Sequence, residues 1–222
     1  FETPGSFPSQ GGIIAGDGVD DPSAVLELAT LLGWPVIADP RSGCRVPHPN
    51  VVAHADTLMR AEGAQGSVEM IIRFGGLPAS KVVGEWVASV GVPHVHVDPT
   101  EVVNDPAGVV TQRIRQSASA YVRSMLELVT TDGEQEWVDT WRRADDAVEA
   151  AIVSTLSSSP SSTEPGTARA VVASVPEGGA LVVSSSMPIR DVEWFGSRRD
   201  GLVVHANRGA NGIDGVVSTA VG

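Results

Sequence analysis

Short runs of Val and Ile alternate along this chain with stretches of about ten residues in which apolar side chains recur at a helical period, and few folds accommodate that alternation. Ile13-Ile14-Ala15 is the first run, closed by Gly16-Asp17-Gly18. Asp20 or Asp21 before Pro22 then opens a helix that keeps Val25, Leu28, Ala29 and Leu32 on one face until Gly33 stops it. Val36-Ile37-Ala38-Asp39 follows as a second strand, so 13–39 reads as a βαβ unit. The pattern repeats through an irregular Pro-containing stretch at 41–52, a helix at 53–61, a strand at 68–74, a helix at 80–89 and a strand at 92–97. Strands that are apolar on both faces must be covered on both. The expected fold class is therefore α/β: a parallel-sheet, three-layer central domain with right-handed crossovers, followed by the beginning of a second α/β domain.

The second half supports that division. The spacing predicts one helix from Gln112 to Leu128 and a longer one from Glu136 to Leu156, with Trp137, Trp141, Val148 and Ile152 as its buried stripe. Ser157 to Gly166 is turn-forming and almost free of apolar side chains, which marks a border. Expected after it are a helix at 166–175, a strand at 180–183, a short helix ending at Phe195 and a strand at 202–206. The organisation is thus a linker at 1–12, a central domain with closing helices at 13–156, a linker at 157–166 and a truncated second domain at 167–222. A start at Phe1 and a stop at Gly222, just inside a helix signal, read as a piece of something longer.

Two strand ends stand out as a candidate site. The run Leu181-Val182-Val183 discharges into Ser184-Ser185-Ser186-Met187-Pro188-Ile189-Arg190, and Leu202-Val203-Val204-His205-Ala206 into Asn207-Arg208-Gly209-Ala210-Asn211-Gly212-Ile213-Asp214-Gly215. Ligands of open α/β sheets sit outside the carboxyl ends of the strands. Ser186, Arg190 and Arg208 are accordingly the first candidates, because guanidinium groups bind carboxylates through paired charge-assisted hydrogen bonds. The plainer alternatives are pairing of each Arg with Asp191 or Asp214 and an ordinary serine turn at Ser186. Asp214 stands where it would cap a helix beginning at Gly215.

Other polar residues read as structural. Gly16-Asp17-Gly18 is a turn, with no Asn after it until Asn50. His94 and His96 share one face of a strand, yet no Cys or third His lies at ligand spacing, so both read as partly buried structural residues. His205 reads as packed. Arg41, Arg45, Arg60 and Arg73 are possible contacts for an anionic effector, with surface salt bridges as their plainer use.

The block from Asn207 to Gly215, with Ser218-Thr219-Ala220 after it and the Ser186…Arg190 segment upstream, resembles the start of the pyrophosphate-binding domain of the SEPHCHC synthase family, thiamin-diphosphate-dependent enzymes of menaquinone biosynthesis. The order of elements before it is similar to that family's central domain. The resemblance implies a transferase that decarboxylates 2-oxoglutarate and adds the resulting carbanion to isochorismate, with thiamin diphosphate and Mg2+ as cofactors. It implies substrate contacts at Ser186, Arg190 and Arg208, and cofactor contacts at Ser185, Asn211, Gly212 and Ile213, with Ile213 as the apolar support under the bent cofactor. Ser185 stands where relatives carry Asn, and Asn211 where they often carry Ser. No catalytic residue and no metal ligand is expected within this chain, since the activating Glu and the metal-binding Asp of the family lie in other segments. A homodimer or dimer of dimers is implied, and the 222 residues alone are expected to be inactive.

Charge narrows the partners. A net charge of −12, with Lys81 as the single Lys, argues against a surface built for nucleic acid. No apolar run approaches the roughly 20 residues of a membrane-spanning helix, no secretory leader opens the chain, and the single Cys44 has no partner for an internal disulfide; together these suggest a cytoplasmic setting. Two other readings stay open: a thiamin-diphosphate decarboxylase or carboligase of the acetolactate-synthase type, and a non-catalytic α/β binding module.

Overall fold

The computed structural model describes residues 7–61, 68–102, 104–129, 133, 135–159, 162–207 and 214–222. Six strands form one parallel sheet: β1 (Gly11–Ala15), β2 (Val36–Ala38), β3 (Val51–Val52), β4 (Met70–Phe74), β5 (His94–Val97) and β6 (Gln112–Ile114), in the order β3-β2-β1-β4-β5-β6. The order reverses between β1 and β4. Helices α1 (Pro22–Leu32) and α4 (Ala118–Leu126) pack together, while α2 (Ala55–Arg60) packs against α3 (Lys81–Ser89) and the long α5 (Gln135–Ser157). Helices leaving a sheet to opposite sides of its reversal point cover opposite faces when every crossover is right-handed, and three layers result.

Local chemistry sets the boundaries. Asp21 accepts a hydrogen bond from the Ala24 amide, Pro22 occupies the first turn, and Gly33 closes α1 in the left-handed conformation. Ser80 and Ser117 cap α3 and α4 in the same way as Asp21. Trp34 is fully buried and lies across β1 at Gly11, where a Cβ would sit 2.1 Å from the indole ring. Only Gly fits there. Trp137 of α5 donates to the Gly11 carbonyl at 2.8 Å and stacks edge-to-face on Trp141, which extends the core from sheet to helix.

One stretch differs from the sequence pattern. Gln112–Ile114 is a strand beside β5, and the helix starts only after Ser117, so no single helix runs from Gln112 to Leu128. The Ser117 hydroxyl takes the Ala120 amide and fixes the start, while Arg113 reaches the Thr100 carbonyl at 2.6 Å. Three residues of mixed polarity carry too weak an alternation to announce an edge strand. The irregular stretch at 41–52 holds a short 3-10 turn at Pro40–Ser42 and β3.

The remaining described elements are α6 (Glu164–Ser174), β7 (Gly179–Val183), α7 (Met187–Phe195), β8 (Leu202–Ala206) and α8 (Val216–Val221). β7 and β8 form a separate two-stranded parallel sheet over a small core of Val172, Val183, Ile189, Val192 and Val204. On β8, Leu202, Val204 and Ala206 turn inward, whereas Val203 and His205 are exposed. His205 is thus not packed, because strand alternation puts it on the uncovered face. No helix among the described residues is long and apolar enough to cross a membrane.

The two histidines of β5 are buried more deeply than their sequence context suggests, with His94 2% and His96 1% exposed. Burial, then the charges of Arg73 and His96, push His94 down to about 4, with Asp105 opposing. A histidine whose folded value lies below its unfolded one adds stability that is complete above the unfolded value and is lost as pH falls toward the folded value. Unfolding titrations should show the wild-type chain losing on the order of 3 kcal/mol more than His94→Gln between pH 7 and pH 4. Parallel losses in the two proteins would contradict this account of His94.

Candidate functional site

β7 and β8 pair in register from Gly179 with Leu202 to Val183 with Ala206, so their carboxyl ends emerge side by side. The Val-rich runs dictate the strands, and the small polar residues after them end the ladder. Ser185 donates its hydroxyl to the Asn207 carbonyl, tying the two exits together. Asn207 in turn donates to Thr219 of α8 at 3.2 Å. α8 begins after Gly215, which occupies the cap position with φ 81°, so Asp214 does not cap it.

Ser186 is the cap residue before α7 and has φ 72°, the one positive φ outside glycine among the described residues. Holding a side chain there costs on the order of 1–3 kcal/mol, and such strain collects at ligand-binding turns. Ser186 and Arg190 are both exposed, one turn apart on the same element. Among the described residues Arg190 forms no ion pair. The neighbouring Asp191 is buried, its carboxyl raised by desolvation and then by the charge of Glu164. Arg208, Asn211, Gly212 and Ile213 lie outside the described residues.

A cleft of about 600 Å³ opens beside β7 and α7, lined among others by Glu164, Val171, Val183, Met187 and Asp191. Its ionisable lining is acidic, which opposes a diphosphate. Ser185, the described residue assigned by resemblance to the cofactor, has already committed its hydroxyl to Asn207. Among the described residues no three His, Cys, Asp or Glu converge on a cation position. Of the block assigned by resemblance to the cofactor, Ser185 alone lies among the described residues.

A second cleft, of about 540 Å³, lies at the β1/β4 reversal and includes Asp17, Arg41, Asp98, Thr100 and Asn104. Arg41 is not free to receive an anion there. Its Nε and Nη2 meet Asp39 at 2.9 and 3.1 Å, and Nη1 lies 3.5 Å from Asp17. Gly16-Asp17-Gly18 forms the expected turn at the end of β1.

The arginines correct the expectation of surface salt bridges. Arg60 alone of the four is exposed, and it pairs with the buried carboxylate of Asp56 at 2.5 Å. Arg73 is 1% exposed and donates to the Gly75 and Asn104 carbonyls at 3.2 and 2.9 Å. Arg45 is 8% exposed and donates from Nη2 to the carbonyls of Glu193 at 2.7 Å and Gly196 at 2.6 Å. Buried backbone oxygens left over at a helix end thus take both hydrogen bonds of its Nη2.

That helix end is the centre of a polar contact that sequence reasoning does not reveal. The His54 Nδ1 meets the Trp194 carbonyl at 3.0 Å and its Nε2 meets Glu149 at 2.8 Å. Arg169 bridges Glu149 at 2.6 Å and the Phe195 carbonyl at 2.7 Å. Asp145 of α5, fully buried, accepts the amides of Ala53 and His54 and pairs with Arg198. The one available signal was position: Asp145 follows Trp137 and Trp141 on the buried stripe at steps of four.

Residues 7–183 match the family described as the middle domain of thiamine pyrophosphate. The chain belongs to that family. The chain is also similar to proteins named 2-succinyl-5-enolpyruvyl-6-hydroxy-3-cyclohexene-1-carboxylate synthase. The relative from Bacillus cytotoxicus is 33% identical over 205 residues, covering 89% of this chain and 35% of its own length. Those from Synechococcus elongatus and Listeria innocua are 33% and 31% identical, covering 97% and 89% of this chain. The chain thus spans little more than a third of the length of the curated relatives it matches, 35–38% in these three.

Glu193 is 6% exposed, and burial, followed by the charge of Asp39, raises its carboxyl to about 8 with Arg45 opposing. A carboxyl raised on folding adds stability that is complete below its unfolded value and is lost as pH rises through its folded one. Between pH 5 and pH 9 the wild type should lose up to about 5 kcal/mol more than Glu193→Gln in denaturant titrations. Superimposable pH profiles would refute a protonated Glu193.

Proposed function

We propose that these residues are part of a thiamin-diphosphate-dependent carboligase that decarboxylates 2-oxoglutarate and adds the remaining four-carbon unit to isochorismate. The cofactor, when bound, supplies the stabilisation of carbon-centred charge that the reaction needs. This chain's share is substrate binding. Arg190 and Arg208 hold carboxylates, and the Ser186 hydroxyl donates to a substrate oxygen from its strained turn.

The observation that carries this reading is the in-register pairing of β7 and β8, which brings both exits to one edge with Ser186 and Arg190 exposed there. A strained serine and an unpaired guanidinium one helical turn apart suit an oxygen-rich anion. Similarity to three synthases of that name supports the substrate pair.

Ser185, Asn211, Gly212 and Ile213 contribute to the cofactor's surroundings, with Mg2+ held by residues outside this chain. The central domain occupies 13–156, the segment 157–166 links it onward, and 167–222 begins the pyrophosphate-binding domain. The working protein is a cytoplasmic homodimer or dimer of dimers, and the 222 residues alone do not turn over.

In the full-length protein, Arg190→Ala and Arg208→Ala should each lower kcat/KM by about a hundredfold, the loss expected when a charge-assisted contact of roughly 3 kcal/mol disappears. Circular dichroism should stay unchanged. Undiminished turnover in both variants would remove the proposed carboxylate contacts. Activity on monocarboxylate acceptors, unaffected by either change, would instead favour an acetolactate-synthase-like enzyme.

A further inference from the structure

We infer that Arg45, a residue of the six-stranded unit, is a positioning residue for the substrate-binding turn of α7, acting through the helix it grips at the far end. The inference rests on the substrate-binding role proposed for Ser186 and Arg190.

α7 is nine residues long, a rod of roughly 13 Å at 1.5 Å per residue. One end carries Ser186 and, a turn later, Arg190. At the other end the last carbonyls have no partners within the helix and must find them elsewhere. Each is met by a basic side chain: Glu193 and Gly196 by Arg45, Trp194 by His54, and Phe195 by Arg169. Cations are favoured at this end of a helix by its dipole. The loop around Arg45 is held in return, because Arg199 donates its amide to the Arg45 carbonyl at 2.9 Å.

Arg45 differs from the other two grips. His54 and Arg169 both share Glu149, so loss of either leaves part of that ion pair in place. Arg45 makes two helix-end contacts from a single nitrogen, 148 and 151 residues away in sequence. Its guanidinium is buried, and among the described residues its Nε and Nη1 lack partners, so the two helix-end carbonyls on Nη2 are the hydrogen bonds that hold it. Removing it leaves two buried carbonyls unsatisfied on one side of a helix whose apolar contacts, Ile189 and Val192, permit sliding and rotation. The strained Ser186 turn is the element that such movement releases. Displacement of about 1 Å at a binding group is enough to weaken a contact by tenfold or more.

The test uses the full-length protein with Arg45→Met and Arg45→Lys, read by hydrogen exchange and steady-state kinetics well below the unfolding temperature. In Arg45→Met, amides of 187–196 should exchange about tenfold faster while β1 and β4 are unchanged, and KM for 2-oxoglutarate or isochorismate should rise about tenfold with kcat within threefold of wild type. Arg45→Lys should recover most of both effects, since one ammonium can serve the two carbonyls that one nitrogen serves now. A merely structural role would lower thermal stability and leave KM untouched. Faster exchange with both KM values unchanged, or no change in exchange, overturns the proposal. Should Arg45→Met fail to fold, Arg45→Gln carries the same comparison. Arg190→Ala is run beside them: if it leaves both KM values unchanged, the substrate-binding assignment has failed, and the exchange data alone still decide whether Arg45 holds the helix.

Discussion

The carboxylate of Asp145 is the contact on which the rest of the arrangement depends. It is fully buried on α5, receives the backbone amides that lead from β3 into α2, and pairs with Arg198 beyond α7. A buried carboxylate is tolerated only when its lone pairs are filled, and removing one partner of such a pair costs far more than the pair itself contributes. Asp145 therefore fixes three segments at once. The long helix cannot shift along the sheet, the entry to α2 cannot unwind, and the segment after α7 cannot swing away without exposing an unpaired charge to a low-dielectric interior.

From that point the polar contacts spread in a chain rather than a cluster. His54, whose amide rests on Asp145, reaches Trp194 and Glu149, and Glu149 reaches Arg169. Burial is the first cause lowering the His54 value, with the Arg45 charge adding to it, whereas the hydrogen bond to Arg169 is the first cause lowering Glu149. A carbonyl only accepts, so the Nδ1 facing Trp194 carries the proton. The contact to Glu149 then asks for a proton on Nε2 as well, against the desolvation that opposes it. Arg169 resolves part of this conflict by neutralising Glu149 from the other side. Apolar contacts between α6, α7 and the small sheet supply adhesion, and these directional bonds decide the angle.

Much of the six-stranded unit is legible in sequence because its signals are local. Asp21, Pro22 and Gly33 delimit α1, Ser80 starts α3, and the Val and Ile runs of β1, β2 and β4 are apolar on both faces, as a covered parallel sheet requires. The same reasoning fails at Gln112–Ile114, where a strand of three residues is identified only by the neighbour it pairs with. It fails again for Arg45 and Arg73. Their charge is accommodated by backbone oxygens, one set more than a hundred residues distant, and no periodicity encodes a carbonyl left over at a helix end. The proximity of the two strand exits at the candidate site was readable from two Val-rich runs ending in small polar residues. The conformation of Ser186 was not, since a positive φ outside glycine arises from the surroundings and not from the residue.

The distribution of strain and restraint along α7 gives the site a physical logic. A serine held at φ 72° must be kept there by contacts elsewhere, because the residue's own preference opposes it. On the helix side Ser186 is followed by exposed Met187 and Pro188, which have little packing with which to enforce it, while on the strand side half-buried Ser185 is bonded to the Asn207 carbonyl. The buried portion of the helix begins at Ile189, and its polar anchorage lies at 193–196. The turn is therefore held from two sides, by the Ser185 tie between the strand exits and by Arg45, His54 and Arg169 at the opposite end of the helix. On this view the larger unit is more than a spacer between flanking parts of a longer protein: it is the frame to which the far end of a short helix is bonded, with Ser186 and Arg190 exposed at the other end.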